Sequence, residues 1–489
     1  MLNRLLISAT LASLLLTNTL VAEDNLDADL GGFESEELVS DELSELDGFG
    51  DDEESADLDG FSEEKSFSSD NRVTEVAEKE SIFSLTGNLA FKTSAGYISH
   101  NMDNIDYSGV NQAQTSLYLQ LDAKLSDNWK LRVSGDTYYD AIYDIHSHND
   151  YNDDILDEYK TQLRFDDVYI QGRLTPDMDL KVGRQIVVWG KSDSIRITDV
   201  INPTDNRQPG MTDIEDLRLS VGMLKLDYYV GEWNLSAMLI GESRTFIEAP
   251  ARSEFFPVDN IFPIAPNPFI ELDKPNTSMD NLQYAFAANG VFSGWDLSFY
   301  AADVFDQKWF INPQTQKREV SKIKMLGSAL NVAMGSWLLK SEIAVLDGVK
   351  YNSTTDDKVR ADMLVGFDYM GIKDTVLSLE IANRHIFDHE DSMSSYTTLR
   401  PDFVNENEVQ TAMRATHSFL NDTLNTTALV SLFGPTWQYG GFARIWAEYD
   451  VMDGVTANFG VVDYIYGEKP FTKAISDNDR VFADITYSF

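Results

Sequence analysis

From about residue 81 to the end, the chain alternates apolar and polar side chains with a period of two, the rhythm of strands with one greasy and one wet face. Seventeen such stretches can be read, among them 85–98, 113–125, 129–143, 162–174, 177–188, 217–230, 295–305, 322–334, 361–370, 437–449 and 479–489. A tilted strand crosses a bilayer in about 9–11 residues, and most of these reach that length. Compact turns at Ser126-Asp127-Asn128, Thr175-Pro176, Gly231-Glu232, Ser293-Gly294, Gly335-Ser336 and Gly371-Ile372 alternate with long connections at 144–160, 189–216, 243–281, 306–321, 348–360 and 385–423. Short turns on one side and long loops on the other are expected of a barrel with periplasmic turns and extracellular loops. Single-chain bacterial barrels have an even number of strands. Reading Val409–Phe419 as a further strand, turned back at Asn421-Asp422, makes 18; merging or discarding weak stretches makes 16 or 14. The expected fold is therefore all-β, a transmembrane outer-membrane β-barrel of 16–18 antiparallel strands with inward-folded loops. A large soluble β protein is the competing reading.

The two ends support export and membrane insertion. Residues 1–22 open on Met1-Leu2-Asn3-Arg4 and run through an apolar stretch too short for a comfortable helical span, which predicts a signal peptide cleaved after Ala22. The last stretch places Val481, Ala483, Ile485, Tyr487 and Phe489 on one face and Phe482, Asp484, Thr486 and Ser488 on the other. Ending on an aromatic, with Tyr487 two residues before it, resembles the assembly signal read by the barrel-assembly machinery. Trp129, Trp233, Trp295 and Trp337 each follow a compact turn, and Trp437 follows Gly434-Pro435. Trp at such positions suits the headgroup level, where an apolar ring keeps a wet N–H.

Charge isolates the segment ahead of the strands. Residues 23–64 hold 19 Asp or Glu and no Lys or Arg, so residues 23–80 are expected to be a disordered periplasmic leader ahead of a barrel spanning 81–489. Three Leu-x-Gly-Phe repeats stand in it, with Leu30 and Phe33, Leu46 and Phe49, Leu58 and Phe61 as paired apolar anchors for docking on a basic-rimmed partner. Calcium is the weaker reading, because the full Asp-x-Asp-x-Asp-Gly loop is absent. Over the whole chain 81 acidic side chains face 38 basic ones, a net charge of -43, which argues against nucleic acid as a partner.

Catalysis is not expected. The Gly-x-Ser-x-Gly elbow, His-Glu-x-x-His and phosphate-cradling loops are missing from the sequence. His146 and His148 with Asp144 and Asp150 lack an assured third ligand, so no metal or cofactor is expected. The densest segment is Val182-Gly183-Arg184-Gln185 through Trp189-Gly190 to Asp199, Asn202-Pro203, Asp205 and Arg207. Arg184, Gln185, Trp189, Arg196, Asp199, Asn202, Asp205 and Arg207 are expected to build an inward loop that narrows the lumen. Arg184 either snorkels outward or faces inward with Val182 and Ile186, and a purely structural ion pair between Arg184 and a loop aspartate is the plainer alternative. The loop at 243–281, with Phe255, Phe256, Phe262 and Phe269 among prolines, reads as a rigid apolar lining for the lumen or its entrance, or as a loop packed on itself.

The Gly183-Arg184-Gln185 strand, the Trp189-Gly190 pair and the stretch from Asp199 to Asn202-Pro203 resemble a family of Gram-negative outer-membrane proteins long classed as of unknown function and often encoded beside RND-superfamily exporters. The resemblance implies an outer-membrane conduit for lipid or another hydrophobic molecule, with a periplasmic carrier and an inner-membrane RND-type exporter as partners and lipopolysaccharide and outer-membrane lipid around it. A general or ion-selective diffusion porin and a barrel-anchored structural or adhesion protein are the alternatives.

Overall fold

The computed structural model describes residues 82–98, 101–102, 105–146, 151–256, 272–312, 314–315, 317–395 and 402–489. The wall begins with β1 (Phe83–Gly96), β2 (Gly109–Ser126), β3 (Trp129–Asp140), β4 (Thr161–Thr175), β5 (Met178–Gln185) and β6 (Val221–Val230). It continues through β7 (Trp233–Ile240), β8 (Gln283–Phe292), β9 (Trp295–Ile311), β10 (Arg318–Met334), β11 (Trp337–Val349) and β12 (Lys358–Ile372). It ends with β13 (Thr375–Ile386), β14 (Asn407–Phe419), β15 (Leu424–Phe433), β16 (Gly441–Met452), β17 (Val455–Ile465) and β18 (Arg480–Ser488). Each strand lies beside its sequence neighbours, and β18 returns to pair with β1, which closes the sheet. A two-residue strand, Leu272–Asp273, makes the sheet 19-stranded, but the barrel itself has 18. At the closure Leu89 stands opposite Tyr487 and Phe91 opposite Ile485, and Gly87 and Phe489 exchange two backbone hydrogen bonds of 2.9 and 3.0 Å.

The alternation sorts side chains as the solvent on each face requires. Leu224, Leu235, Phe286, Leu326, Ile343 and Val365 face outward, and Leu326 is 69% exposed. Lys225, Asp227, Asn234, Ser236, Lys340 and Glu342 face inward and are buried. An apolar exterior suits hydrocarbon, and closure leaves no strand edge with unsatisfied backbone groups inside it. Ile485 and Tyr487 on β18, and Phe489 just after it, are about half exposed on the outer face, while Phe482 is buried inward. Among the described residues no helix is long and apolar enough to cross a membrane.

Several boundaries differ from the sequence reading. The long connection 385–423 contains β14, paired on both sides, so the eighteenth strand is real. The turn between β12 and β13 lies at Lys373-Asp374, because Ile372 pairs with Thr375 and Asp374 takes φ 52°. Trp129, Trp233, Trp295 and Trp337 do begin strands after turns. Trp437 does not: β16 starts at Gly441, and Trp437 lies in the Gly434–Gly440 connection at φ 61°. Strand β5 stops at Gln185 rather than running to residue 188, since there the chain leaves the wall.

That departure makes the wall uneven. Strands β5 to β8 have 8, 10, 8 and 10 residues, whereas flanking β4 and β9 have 15 and 17. Strand β4 is laddered to β5 only from Val168 to Thr175. Its far half, carrying outward Leu163 at 81% and Phe165 at 59% exposure, runs on past that ladder.

Candidate functional site

The segment 186–220 folds into the barrel, and its residues explain why it stays there. Asn202, wholly buried, accepts from the Val187 N–H at 2.8 Å and donates to the carbonyls of Leu219 at 2.8 Å and Gln185 at 3.2 Å. One amide thus ties the point where the chain leaves the wall to the point where it returns. Gln185, also fully buried, donates to the Met223 carbonyl at 3.4 Å. Gly183 has φ 134°, and a Cβ there would lie 2.2 Å from the Val168 carbonyl oxygen, so only glycine lets β5 approach β4 this closely.

Two wall carboxylates hold the tip of the loop. Glu342 on β11 accepts from the N–H groups of Lys191 at 2.5 Å and Ser192 at 2.8 Å, and from the Thr198 hydroxyl at 2.9 Å. Glu380 on β13 accepts from the N–H groups of Asp193 at 2.7 Å and Ser194 at 3.0 Å. Four consecutive backbone donors therefore meet two anions, an arrangement in which each buried charge is matched by aligned dipoles. Lys340 joins Asp193 to Asp368, the latter at 2.7 Å. Trp189 stacks on Tyr300 of β9, ring centroids 4.8 Å apart, and the Gly190 N–H donates to the Tyr300 hydroxyl at 3.2 Å. Gly190 has φ 94°, and a Cβ there would press to 2.7 Å from the Glu342 carboxylate.

The rest of the loop is held by ion pairs. Asp199 receives Arg196 at 3.1 Å and Arg218 at 2.8 Å, and Arg196 also donates to the Asn202 carbonyl at 2.6 Å. Arg207 grips Asp205 and donates to the Tyr138 hydroxyl at 3.0 Å and to Gln162 at 2.7 Å. Burial works against the Arg207 charge, but the hydrogen bond and charge of Asp205 outweigh it, so its pKa stands above the ordinary arginine value. Asp213 binds Arg414 of β14 at 3.0 Å and Arg444 of β16. The segment thus reaches walls on both sides of the lumen.

Arg184 faces outward with Val182 and Ile186, not inward. Its carboxylate partner is Glu242, at 2.6 Å, rather than an aspartate of the inward loop. It also donates to the Phe165 carbonyl at 3.4 Å, while Ser220 donates to the Asp166 carbonyl. Both carbonyls belong to the half of β4 beyond the ladder, so side chains cap that stretch of strand edge.

Beyond β7 the chain crosses the lumen a second time. Phe246 donates its N–H to the Gln307 carbonyl at 3.2 Å, and Ile247-Glu248 runs parallel to Asp205-Asn206. Farther on, Glu254 pairs with Arg480 at 2.9 Å, and Phe255 is buried against Val462, Tyr464 and Ile475. Phe255 therefore reaches the far wall, in a cluster that also takes in Ala249 of its own loop, and the Phe256 carbonyl accepts from the Arg252 N–H in a tight turn at 2.9 Å. Phe262 and Phe269, His148 and Asp150, and the leader anchors from Leu30 to Phe61 lie outside the described residues. Asp144, a candidate ligand, is engaged by Lys160 at 2.6 Å and by the Tyr139 hydroxyl.

These crossings bound two cavities. One, of about 840 Å³, is polar and is lined by β1 to β4 and β14 to β18, with Asp136, Arg164, Arg414 and Asp484 among its walls. The other, of about 460 Å³, lies against β9 to β15 and mixes Arg360, Asp362 and Arg384 with Ile195, Ile214, Phe246 and Phe433. Sequence reasoning found the inward segment but not its wall partners Glu342, Glu380 and Lys340. Their only signal was a charged residue on the polar face of a strand.

A closed antiparallel barrel of 18 strands, apolar outside and bridged inside by its own loop, defines a transmembrane β-barrel of the outer-membrane class. Within that class the chain belongs to the family described as protein of unknown function (DUF1302), whose model matches residues 62–489. No curated protein matches it in sequence. Similar solved structures include the outer membrane protein OpdK from Pseudomonas aeruginosa, with a TM-score of 0.46, 11% identity and coverage of 83% of this chain and 99% of that one. OccK3 (OpdO) of the same organism has a TM-score of 0.47 at 9% identity, covering 83% and 95%. A BenF-like porin from Pseudomonas fluorescens Pf-5 has a TM-score of 0.47 at 12% identity, covering 83% and 98%.

Proposed function

We propose that the protein is an outer-membrane conduit for lipid or another hydrophobic molecule, supplied from the periplasm by a carrier and an inner-membrane RND-type exporter that dock on its acidic leader. The observation that carries this reading is the inward segment 186–220, pinned by Glu342 and Glu380 so that it crosses the lumen and leaves a cavity partly lined by apolar side chains. A pore for ions and small solutes has no need of such a lining. The half of β4 beyond its ladder, capped by Arg184 and Ser220, supports a sideways passage to the bilayer, because side-chain contacts part more easily than a strand ladder. The mechanism is passage, with the loop setting what fits.

The polar cavity of about 840 Å³ favours the second reading, a diffusion porin. Reconstitution separates the two. The conduit reading expects low ion conductance in planar bilayers together with transfer of a fluorescent phospholipid between liposomes that carry the protein and acceptor vesicles. Large, steady conductance without lipid transfer establishes the porin instead.

A further inference from the structure

We propose that the smaller cavity is a binding site for an amphiphile with an anionic oxyacid head, and that Arg384 is the residue that receives the head. The inference rests on the conduit reading and names the class of its cargo.

Arg384 is the unusual cation of this cavity. Arg360 is matched by Asp362 through two bonds of 2.8 Å, and Arg196 by Asp199 at 3.1 Å. Arg384 has no carboxylate within ion-pairing distance among the described residues. Its guanidinium donates to two neutral oxygens, Gln410 Oε1 at 3.3 Å and the Arg196 carbonyl at 3.2 Å. Asp362 and Glu408 stand opposite it on the two neighbouring strands, but Asp362 is bonded to Arg360 and Glu408 to Lys469, so of the five N–H donors in the planar fork of Arg384 none is met by a carboxylate among the described residues. An oxyanion supplies what is missing, in the geometry the fork prefers.

The other walls define the body of the ligand. Ile195, Ile214, Leu217, Phe246, Leu346 and Phe433 line the same cavity. The other carboxylate there, Asp306, accepts from the Lys308 N–H at 3.1 Å and stands on β9. Arg384 stands on β13, four strands away, roughly 19 Å along the wall at about 4.8 Å per strand. Arg384 and Asp306 therefore stand on different sides of the cavity, Arg360 on β12 lies between them along the wall, and a head at Arg384 leaves the tail on the apolar side chains of the lining. Its volume of about 460 Å³ falls in the range of small-molecule sites, about 300–1,000 Å³.

The test uses the full chain in nanodiscs and equilibrium binding of four probes with one tail: dodecanoate, dodecyl phosphate, dodecanol and dodecyltrimethylammonium. Both anions are expected to bind saturably and at least about tenfold more tightly than the alcohol, with the ammonium weakest, as a charge-assisted hydrogen bond requires. Arg384→Gln is expected to erase the anion preference and leave dodecanol unchanged, and Arg384→Lys to retain part of it. Equal binding of all four probes to the unaltered protein overturns the site, as does an unchanged preference in Arg384→Gln. If a variant loses its folded, heat-modifiable form, the four-probe comparison on the unaltered protein decides. Lipid transfer without any preference for anions leaves the conduit standing and removes the site; anion binding without transfer does the reverse.

Discussion

Asn202 carries more of this structure than its size suggests. Its side chain satisfies three backbone groups that the wall abandons when β5 ends, and all of them are buried. Asn202→Ala leaves them unsatisfied at a cost of about 1–3 kcal/mol each, so the midpoint of heat modifiability on gels should fall clearly. Asn202→Asp should fall as well, because the amide donates two of the three bonds. On the outer face, Val365 stands midway along β12, 61% exposed. Arginine there meets the middle of the hydrocarbon, and Val365→Arg should cost about 2–4 kcal/mol in a folding titration into bilayers. The same substitution at inward Gly366 would test lumen space instead. The alternation over 361–370 accords with an outward Val365, but no local pattern gives Asn202 its partners, which lie 15 and 17 residues away.

At the scale of elements, the inward segment is held as much by what the wall offers as by its own sequence. Glu342 and Glu380 accept from consecutive backbone N–H groups, so removing one carboxylate strands several donors at once. Glu342→Ala should release the loop tip while the barrel still closes, read as a several-fold rise in single-channel conductance with the heat-modifiable band retained. Gly190→Ala, which drives a methyl against the same carboxylate, should move conductance in the same direction. No change in either variant would show that the loop does not gate the lumen. Strand rhythm was legible wherever both faces met uniform surroundings. It failed at β5, where residues 186–188 continue the alternation although the chain has left the sheet. It failed again before β16, where Trp437 mimics a strand start yet sits in a turn at positive φ. Alternation reports two-sided surroundings; it does not report which neighbour provides them.

The 18 strands form a cylinder closed between the first and the last, with Phe489 hydrogen-bonded to Gly87 at the seam. Removing Phe489 takes two of those hydrogen bonds and an outward aromatic together, and the shortened chain should accumulate as an unfolded periplasmic form, measured by fractionation. The proposed docking on the acidic segment 23–64 is tested separately. If a periplasmic carrier docks there as proposed, deleting residues 23–64 should leave heat modifiability and conductance unchanged while abolishing capture of that carrier; undiminished capture would remove the docking role. By itself, the sequence determined the period of two, the apolar outer face and most of the turn positions, because each follows from neighbours along the chain and from the solvents on either side of a sheet. Only the tertiary structure decided that Arg184 serves a strand edge from outside, that Glu342 and Glu380 hold the loop, and that Arg384 makes no close ion pair among the described residues. Those facts depend on distances across the lumen, which are set by how 18 strands close and not by any stretch of chain short enough to carry a pattern.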